Sequence, residues 1–599
     1  MSPAKIFALT SVISLGTLAA YYNSLLVPFF FDDVLAISDN PTIRHLGSLG
    51  QVLSPPHDGS AVTSRPLVNL SLAINYALGS ASVRGYHVFN LLLHTLTGLA
   101  LFGVVRHTLL RPVLAKRFGA AASNLAFAVA LLWTLHPLQT ESVTCVVQRT
   151  ELLVGFFYVF TLYCFIRSVE PGASLAWAPL AVGSCLFGMA SKEVMVTAPL
   201  IVWLYDRTFV AGSFRAAWRA RRVFYCFLSG TWLLLAALVA DSGGSRGVAA
   251  GFGLGITPWS YALKQCEAIM VYLRLALWPH PLVLDYGTDV VTNPLDVAPQ
   301  ALALLALVAG SGFALWRRPA LGFLGAWFFA ILAPSSSVVP LVTQTMAEHR
   351  MYLPLAALLV IGVVGLYACG PKFRLSAVLA LAVVLGTLTV RRNTVYQSEL
   401  SIWSELLAQR PGNARAHTGV GVAFFHAGQT APAIEHLRAA VKLKPDYPDA
   451  HYNLGLALFD AGQIAEAIAE YASALRLQPT HAAVHYNLGL AINQTGRIDE
   501  AIAHFEWALQ SRPDLAEAHN NLGAALATTG RLQEALPHLE AAVRLDPTNA
   551  EAHNNLGMGW RLLGNVAEAR RQFEEALRLR PDFALARENL KRLQMTAPR

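Results

Sequence analysis

The sequence predicts an all-α protein in two parts, a polytopic bundle of membrane helices followed by a helical solenoid. Of its 599 residues, 54% are hydrophobic and only 14% are charged, and the mean hydropathy is +0.45. This composition is too apolar for a soluble chain of that length. Apolar runs fill residues 1 to about 390, whereas 397–599 is rich in Ala, Glu, Arg, His and Asn. We therefore predict a membrane domain over 1–396 and a second domain over 397–599.

The second domain repeats itself every 34 residues, which is the period of the tetratricopeptide repeat, a helix pair that stacks into a solenoid. Proline, glycine and alanine each recur at that spacing, at Pro411, Pro445, Pro479, Pro513, Pro547 and Pro581, at Gly421, Gly455, Gly489, Gly523 and Gly557, and at Ala433, Ala467, Ala501, Ala535 and Ala569. We predict five full repeats after a leading half-repeat (Ser398–Gln409), closed by a capping helix (Phe583–Leu593).

Polar side chains also recur on the first helix of each repeat, and some of them should line the concave groove of the solenoid. For the histidines a packing or groove role is expected over metal binding, because successive repeats hold them too far apart to share an ion. The columns are His417, His451, His485, His519 and His553, with Asn453/Asn487, Asn520/Asn554 and Asn521/Asn555.

The membrane domain is predicted to cross the bilayer eleven times. Basic clusters after the second and sixth of these segments mark cytoplasmic loops, and Arg317/Arg318 and Lys372/Arg374 mark two more cytoplasmic turns. The run Tyr261–Trp278 carries three charged side chains and is predicted to be interfacial or re-entrant. The loop 31–85 and the repeats then lie outside the cytoplasm. The crossings are near 6–30, 86–105, 122–136, 143–166, 174–190, 193–206, 223–240, 300–316, 320–340, 350–369 and 375–390.

Net charge and cysteines exclude several kinds of function. The formal charge is +8, but in the membrane domain Lys and Arg gather in short loops, so the excess sets topology and does not indicate nucleic-acid binding. The six cysteines are scattered singly through the membrane domain, with neither metal-ligand spacing nor a disulfide framework.

Two adjacent carboxylates, Asp32 and Asp33, end the first apolar run after Phe29-Phe30-Phe31. Neighbouring carboxylates repel, and desolvation at a membrane boundary also raises a carboxyl pKa, so one of the pair can be poised to accept a proton near neutral pH. The alternative is that both carboxylates simply cap a membrane helix in water.

The loops predicted to face outward hold many more ionisable residues, several of them at the ends of spans. A cationic subset, Arg149, Lys192 and Arg350, facing the carboxylate pair would suit a reaction in which a phosphate leaves while a hydroxyl is deprotonated. Buried salt bridges that lock helices together are the alternative explanation. The full set is Asp32, Asp33, Arg65, His136, Glu141, Arg149, Glu151, Lys192, Glu193, Asp285, Glu348, His349 and Arg350.

Seven motifs in the membrane domain, followed by the repeats, resemble the transmembrane-and-tetratricopeptide-repeat O-mannosyltransferases. That family is similar to the wider protein O-mannosyltransferases of the GT-C glycosyltransferase fold. The motifs are FDDVLAISDNP (31–41), SRPL (64–67), YHVFNLLLH (86–94), HPLQTESVTCVVQRTELL (136–153), SKEVMV with YD (191–206), WPHPLVLDYG (278–287) and AEHRMYLP (347–354).

The resemblance implies a glycosyltransferase that moves a sugar, with inversion, from a polyprenyl-phosphate donor to a Ser or Thr hydroxyl of a protein. It implies Asp32 as general base and Asp33 as its partner in acceptor positioning or electrostatic tuning. Arg350 would bind the lipid phosphate. The other residues expected to bind the donor are Glu348, Tyr352, Arg149 and Lys192, and those expected to orient donor and loops are His136, Glu141, Arg65 and Glu193. No cofactor and no obligatory metal are expected.

Its expected partners are the lipid-linked sugar, membrane lipid and an acceptor protein held in the repeat groove, with no nucleic acid. Composition favours a bacterial inner membrane with the repeats in the periplasm; in a eukaryote the repeats would lie in the lumen of the endoplasmic reticulum. A lipid-linked sugar ligase or polymerase of envelope polysaccharide and a non-catalytic membrane-anchored repeat scaffold remain alternatives. A transporter is a weaker one, because no pair of broken helices recurs in two halves.

Overall fold

Every regular element in the described part of the chain is helical, which confirms the predicted all-α class. Contact between helices divides the chain into two compact units, 1–406 and 407–599, so that the division falls inside a helix beyond the predicted boundary at 396. The computed structural model describes residues 2–30, 32–56, 60–241, 256–287, 289–337, 340–341, 344–369 and 375–596.

The described residues of the first unit form sixteen complete α-helices, joined in places by short 3-10 turns. These helices are α1 (Pro3–Tyr21), α2 (Leu49–Val52), α3 (Pro66–Gly79), α4 (Val83–Leu109), α5 (Pro112–Phe118), α6 (Ala122–Thr134), α7 (Thr140–Thr144), α8 (Arg149–Ser168), α9 (Trp177–Met189), α10 (Ala198–Phe209), α11 (Phe214–Asp241), α12 (Pro258–Leu277), α13 (Ala298–Arg317), α14 (Pro319–Leu332), α15 (Pro354–Cys369) and α16 (Leu375–Val395).

Each of the eleven predicted crossings overlaps at least one of these helices, but only some of the helices are long enough to span a bilayer alone. Among the described residues six helical segments pass that test by length and apolarity, and a seventh arises if α5–α6 and α7 form one span bent by 54°. Helices α9, α14 and α15 are apolar but shorter. The chain is thus a membrane protein, and the number eleven stays a prediction. Phe31, Lys372 and Arg374, used in the topology, lie outside the described residues.

The segment predicted to be interfacial or re-entrant forms one uninterrupted helix, α12. It is not among the candidate spans, in keeping with its three charged side chains Lys264, Glu267 and Arg274. Lys264 Nζ and Glu267 Oε2 pair at 2.8 Å, so two of these charges are compensated locally.

The core of the membrane unit is built around α4, α6 and α8. Helix α6 buries 11 of its 13 residues, and α4 packs against both α6 and α8. Glycine allows the closest approaches: a Cβ at Gly155 of α8 would overlap the ring of Tyr352, and one at Gly103 of α4 would lie 2.6 Å from Tyr163. The two rings therefore pack directly on helix backbone.

The repeats form a series of antiparallel helix pairs in which each first helix packs on its second helix, and the second helix packs on the first helix of the next repeat. A Cβ at Gly455 would lie 2.5 Å from the ring of Tyr471, and Gly462 ends the first helix with φ +74, so two glycines of that repeat have distinct roles. A leading helix α17 (Glu399–Gln409) precedes five pairs, which are α18/α19 (Ala414–His426, Thr430–Leu443), α20/α21 (Pro448–Asp460, Ile464–Leu477), α22/α23 (Ala482–Gln494, Ile498–Ser511), α24/α25 (Ala516–Thr528, Leu532–Leu545) and α26/α27 (Ala550–Leu562, Val566–Leu579), followed by α28 (Ala584–Thr596).

The repeated histidines hold each helix pair together from within, which agrees with a packing role. In all five repeats the histidine Nε2 contacts the carbonyl of the proline six residues earlier, at 2.9–3.2 Å. The Nδ1 atom contacts the residue 19 positions later, on the second helix. That partner is His436, Glu470, His504, His538 or Gln572 in successive repeats.

Two of the asparagines in the predicted groove columns are instead buried. Asn520 and Asn554 are 5% and 1% exposed, and their side-chain oxygens accept hydrogen bonds from Asn555 of the next helix pair and from Asn589 of the final helix α28, respectively. The Asn521/Asn555 column also connects neighbouring repeats, because Asn521 donates to the hydroxyl of Tyr486 at 2.9 Å. Neighbouring repeats are thus coupled by polar contacts as well as by apolar packing.

Acidification should destabilise the repeats. Burial lowers the pKa of His436, His504 and His538, and the facing histidine lowers each pKa further. Glu435 opposes this shift at His436. At His504, Glu500 raises the pKa and Arg497 lowers it. In the unfolded chain these histidines have their ordinary pKa of about 6.5, so as the pH falls they bind protons before the folded chain does. The repeats therefore lose stability below about pH 6.5. Hydrogen–deuterium exchange of the full chain, corrected for intrinsic exchange, should show faster opening of the repeats at about pH 5.5 than at about pH 7.5.

The fifth repeat supplies the matched control, since it carries Gln572 where these three repeats carry a second histidine. The triple substitution His436→Gln, His504→Gln and His538→Gln should reduce the acid-induced opening. Equal acid sensitivity of parent and triple variant would contradict the assignment.

Candidate functional site

Four ionisable side chains, two of them predicted site residues, form one chain of contacts inside the membrane unit. Glu141 of α7 accepts hydrogen bonds from His349, at 2.7 Å from Nδ1 to Oε1 and at 3.1 Å from the backbone N–H to Oε2. His349 Nε2 lies 3.9 Å from Glu151 Oε1, and the same oxygen is paired with Lys192 Nζ. Segments from α7, α8 and the turns before α10 and α15 therefore meet at these side chains.

The carboxylate pair divides into one buried and one exposed member. Asp33 is 0% exposed, whereas Asp32 is exposed and has no hydrogen-bond partner among the described residues. Asp33 Oδ1 accepts from the Val147 N–H at 2.6 Å, and Oδ2 lies 3.4 Å from the Phe30 N–H. The pair thus combines an anchored carboxyl group and an accessible one.

A break in the helices explains the position of Asp33. Helix α7 ends at Thr144, Cys145 is extended (φ −77, ψ 120), and a 3-10 turn begins at Val146. The first N–H groups of such a turn have no partner within it, and Asp33 satisfies one of them. Burial raises the pKa of Asp33 to about 7, an effect that its backbone hydrogen bonds oppose. The sequence predicted a raised carboxyl pKa in this pair, and the structure places it on the buried member.

Arg149 is a structural residue here, and its geometry does not support the expected role in binding a phosphate. Its side chain is 0% exposed at the start of α8. The guanidinium donates to Asn90 Oδ1 at 2.8 Å, to the Tyr86 carbonyl at 2.9 Å and to the Ser71 carbonyl at 3.2 Å. It also lies over the ring of Phe89, 4.5 Å from its centroid. These contacts join α3, α4 and α8 and leave no face of the cation towards solvent.

Arg350 is committed in the same way. It donates to the carbonyls of Gln344 at 2.6 Å and Thr345 at 3.1 Å and contacts the hydroxyls of Tyr261 and Ser336 at 3.3 and 3.5 Å. With 6% of the residue exposed, it fastens the segment before the 3-10 turn Glu348–Met351 onto α12. The geometry therefore favours a clamp over the expected contact with the lipid phosphate.

Glu348 and Tyr352 also point into the protein interior. Glu348 Oε1 accepts from the Val283 N–H at 2.5 Å and from the Tyr286 hydroxyl at 2.8 Å, and burial raises its pKa to about 8. The Tyr352 hydroxyl meets His94 Nδ1 at 3.0 Å. Neither side chain is placed to contact a donor directly.

His136 ties the bend between α6 and α7 to the end of α12. Its Nδ1 accepts from the Leu138 N–H and its Nε2 contacts the Ala276 carbonyl, both at 3.2 Å. This pattern fits a neutral ring with its proton on Nε2. This geometry fits a positioning role in which His136 holds the bend between α6 and α7.

Arg65 is the cation with unused capacity near the exposed carboxylate. Its Nη1 donates to the Ala61 carbonyl at 2.6 Å and its Nη2 lies 3.9 Å from Glu193 Oε2, but its buried Nε has no hydrogen-bond partner within the described part of the chain. Burial lowers the pKa of Arg65 to about 10, opposed by the charges of Glu151 and Asp32, so it stays a cation at neutral pH. Arg65 thus joins Asp32 electrostatically to the Glu151–Lys192 pair.

Sequence reasoning named Glu151 and His349 as ionisable but gave them no role, although they connect the network. It also missed Asn90, which orients Arg149 and lies in the YHVFNLLLH motif. A polar residue inside an apolar helix is the signal that could have identified it. Asp285 accepts from the Gly287 N–H at 2.7 Å within its own turn. Among the described residues no three His, Cys, Asp or Glu side chains converge on a point that could hold a metal ion.

We expect Arg149→Ala to destabilise the membrane unit by about 2 kcal/mol or more, because it leaves Asn90 and two buried carbonyls without donors. Arg149→Lys should recover only part of the loss, since one ammonium group cannot reach three separated acceptors. Thermal unfolding of the purified chain measures both. The exposed Arg84, just before the same contact region of α4, provides the control Arg84→Ala, which should unfold like the parent. An Arg149→Ala variant as stable as that control would contradict the structural role.

Comparison with known proteins identifies the tetratricopeptide repeats. Family models described as TPR repeat and Tetratricopeptide repeat match residues 421–462, 452–506, 486–550 and 550–583. The solved structure of YrrB, a TPR protein with an unusual peptide-binding site, is 22% identical, and the match covers 32% of this chain and 97% of that one, with a TM-score of 0.29. A thermophilic TPR protein in Thermus thermophilus is 20% identical over 31% of this chain and 100% of its own, with a TM-score of 0.26.

The relatives found by sequence also cover the membrane part. A protein O-mannosyl-transferase of Caenorhabditis elegans is 25% identical over 71% of this chain and 61% of its own length. Protein O-mannosyl-transferase Tmtc3 of Drosophila melanogaster is 27% identical over 72% and 55%, and TMTC4 of Homo sapiens is 29% identical over 68% and 62%. The chain spans less than two thirds of the length of each of these relatives. The predicted resemblance is confirmed: the chain is a homologue of proteins named protein O-mannosyl-transferase and carries tetratricopeptide repeats.

Proposed function

We propose that the chain is a membrane-bound protein O-mannosyltransferase that moves a sugar from a polyprenyl-phosphate donor to Ser or Thr hydroxyls of proteins recruited by the repeats. The observation that carries this proposal is the exposed Asp32, which interacts electrostatically with Arg65 at the edge of the buried ion network that also holds Lys192. The homologues named protein O-mannosyl-transferase support the same activity. The GT-C fold implied by the motif resemblance belongs to this proposal.

The acid–base part of the reaction falls to Asp32. Its carboxylate is exposed and unbonded, so it can approach an acceptor hydroxyl, whereas Asp33 holds the loop through the backbone of Val147. In the proposed step Asp32 takes the hydroxyl proton and the acceptor oxygen attacks the anomeric carbon. The bond from that carbon to the phosphate oxygen breaks, and the electron pair leaves with the lipid phosphate.

The leaving phosphate must be stabilised by a cation that can contact it. Arg149 and Arg350 are occupied by internal acceptors, so we assign this role to Arg65, with its unpaired Nε, and to Lys192. Lys192 is held by Glu151, which is in turn 3.9 Å from His349. A cation held in place before the reaction stabilises developing charge without rearrangement.

Sidedness, acceptor recruitment and location complete the proposal. The distribution of basic loops supports a topology with Asp32 and the repeats on the same, non-cytoplasmic side. We propose that the groove of the repeats binds the acceptor protein, in a bacterial inner membrane with the repeats in the periplasm or in the endoplasmic reticulum membrane with the repeats in the lumen. No metal requirement is proposed.

Asp32→Asn should reduce transfer by about 10²–10⁴-fold, the usual contribution of a general base, while the protein keeps its fold. The assay uses the purified full chain, a panel of polyprenyl-phosphate sugars and mass spectrometry of candidate acceptor proteins. Asp33→Asn should be milder, because its amide oxygen can still accept from the Val147 N–H. Asp39, exposed in the same loop, provides the control Asp39→Asn, which should transfer like the parent.

Each competing function has its own result in this assay. Full activity of Asp32→Asn would contradict the assignment of the base. Absence of transfer from every donor by a folded parent chain would favour the scaffold. Growth of a lipid-linked glycan without protein modification would favour the ligase or polymerase.

A further inference from the structure

A cavity lies at the opposite end of the membrane unit from Asp33. It has a volume of about 590 Å³, within the range of ligand pockets. Its walls are the last turns of α4 and α10, helix α5, the first turns of α14, one face of α15 and Leu162 of α8. The positive-inside rule assigns the basic loops next to these helix ends to the cytoplasm. Asp33 follows the end of α1 and Val147 precedes the start of α8, which are helix ends predicted to lie outside the cytoplasm. The cavity is therefore separate from the candidate active site.

The cavity wall is apolar apart from five residues, which are Thr108, Arg117, Tyr205, Thr208 and Arg318. Two of these satisfy each other, since the hydroxyls of Thr108 and Tyr205 lie 2.9 Å apart. Thr208 is 9% exposed, and its buried hydroxyl has no hydrogen-bond partner among the residues that the structure describes. A buried hydroxyl without a partner costs free energy, so this position favours a ligand that can accept a hydrogen bond there.

Two arginines add positive charge to this apolar wall. Arg117 lies in the last turn of α5 and donates through Nη2 to the Ala368 carbonyl at 3.1 Å; no other hydrogen bond of its guanidinium is found among the described residues. Arg318, in the turn between α13 and α14, is exposed. An apolar cavity with two guanidinium groups matches a molecule that has a hydrocarbon chain and an anionic head group.

We propose that this cavity binds an anionic phospholipid of the cytoplasmic leaflet. An acyl chain would occupy the space between α4, α10, α14 and α15, and the phosphate would contact Arg117 and Arg318. Guanidinium groups bind phosphate oxygens through paired hydrogen bonds, and anionic lipids are concentrated in the cytoplasmic leaflet. The proposal does not depend on the enzymatic activity proposed above, because it concerns the other end of the bundle.

The test is native mass spectrometry of the full chain in detergent, titrated separately with phosphatidylglycerol and with phosphatidylcholine. The parent should retain phosphatidylglycerol preferentially. The double variant Arg117→Gln, Arg318→Gln should bind it about tenfold more weakly, as expected for the loss of two charges near a lipid head group. Val360→Trp, which fills the cavity from α15, should reduce binding of the acyl chain whatever the head group.

The control removes two neighbouring charges that do not line the cavity. In the double variant Lys116→Gln, Arg317→Gln the same loops lose the same charge, and Arg317 lies over the Trp316 ring at 4.1 Å, away from the wall. This control should retain phosphatidylglycerol like the parent. Phosphatidylglycerol should also raise the unfolding temperature of parent and control but not of the Arg117/Arg318 variant.

Three results would overturn the proposal. They are equal retention of phosphatidylcholine and phosphatidylglycerol by the parent, equal weakening in the control and in the Arg117/Arg318 variant, and binding of polyprenyl phosphate that excludes phosphatidylglycerol. The arginine variants decide the question even if Val360→Trp fails to fold, because both arginines are exposed at helix ends.

Discussion

One hydrogen bond, from the Val147 N–H to the carboxylate of Asp33 at 2.6 Å, positions the rest of the candidate site. It closes the break at Cys145 between α7 and α8, where the backbone would otherwise leave a buried donor without a partner. The same bond fixes the loop after α1, and therefore the place of Asp32. Asn90 and Arg149 secure the other side of the break by joining α4 to the start of α8. The first loop and the motif at 136–153 thus form one unit.

Burying so many charged groups costs free energy unless each has a partner, and most of those in the membrane unit have one. Glu141 contacts His349, Glu151 pairs with Lys192, and Arg149 and Arg350 use backbone carbonyls as acceptors. Within the candidate site, the described contacts are incomplete towards Asp32 and the Nε of Arg65. The unused hydrogen-bonding capacity of these two side chains supports assigning the proposed reaction to that edge. A structural role therefore explains some of the buried charges, and the proposed catalytic role explains others.

The helices and the repeats could be predicted because their signals are local. Hydropathy located every predicted crossing on a helix, and a 34-residue spacing of Pro, Gly and Ala identified the repeats. The roles of individual charges could not be predicted in the same way. The AEHRMYLP motif identified Arg350 as important, but only coordinates reveal that its acceptors are the carbonyls of Gln344 and Thr345. The 19-residue spacing between paired histidines was equally hidden, because it depends on how two helices face each other.

In the proposed mechanism Arg65 and Lys192 bind the donor phosphate and Asp32 receives the proton of the acceptor hydroxyl. A structure of the full chain with a bound polyprenyl-phosphate sugar tests this most directly. We expect the phosphate within hydrogen-bonding distance of Arg65 and Lys192, with the anomeric carbon facing Asp32. A phosphate bound by Arg149 or Arg350 after displacement of their backbone partners, or a sugar remote from Asp32, would contradict it.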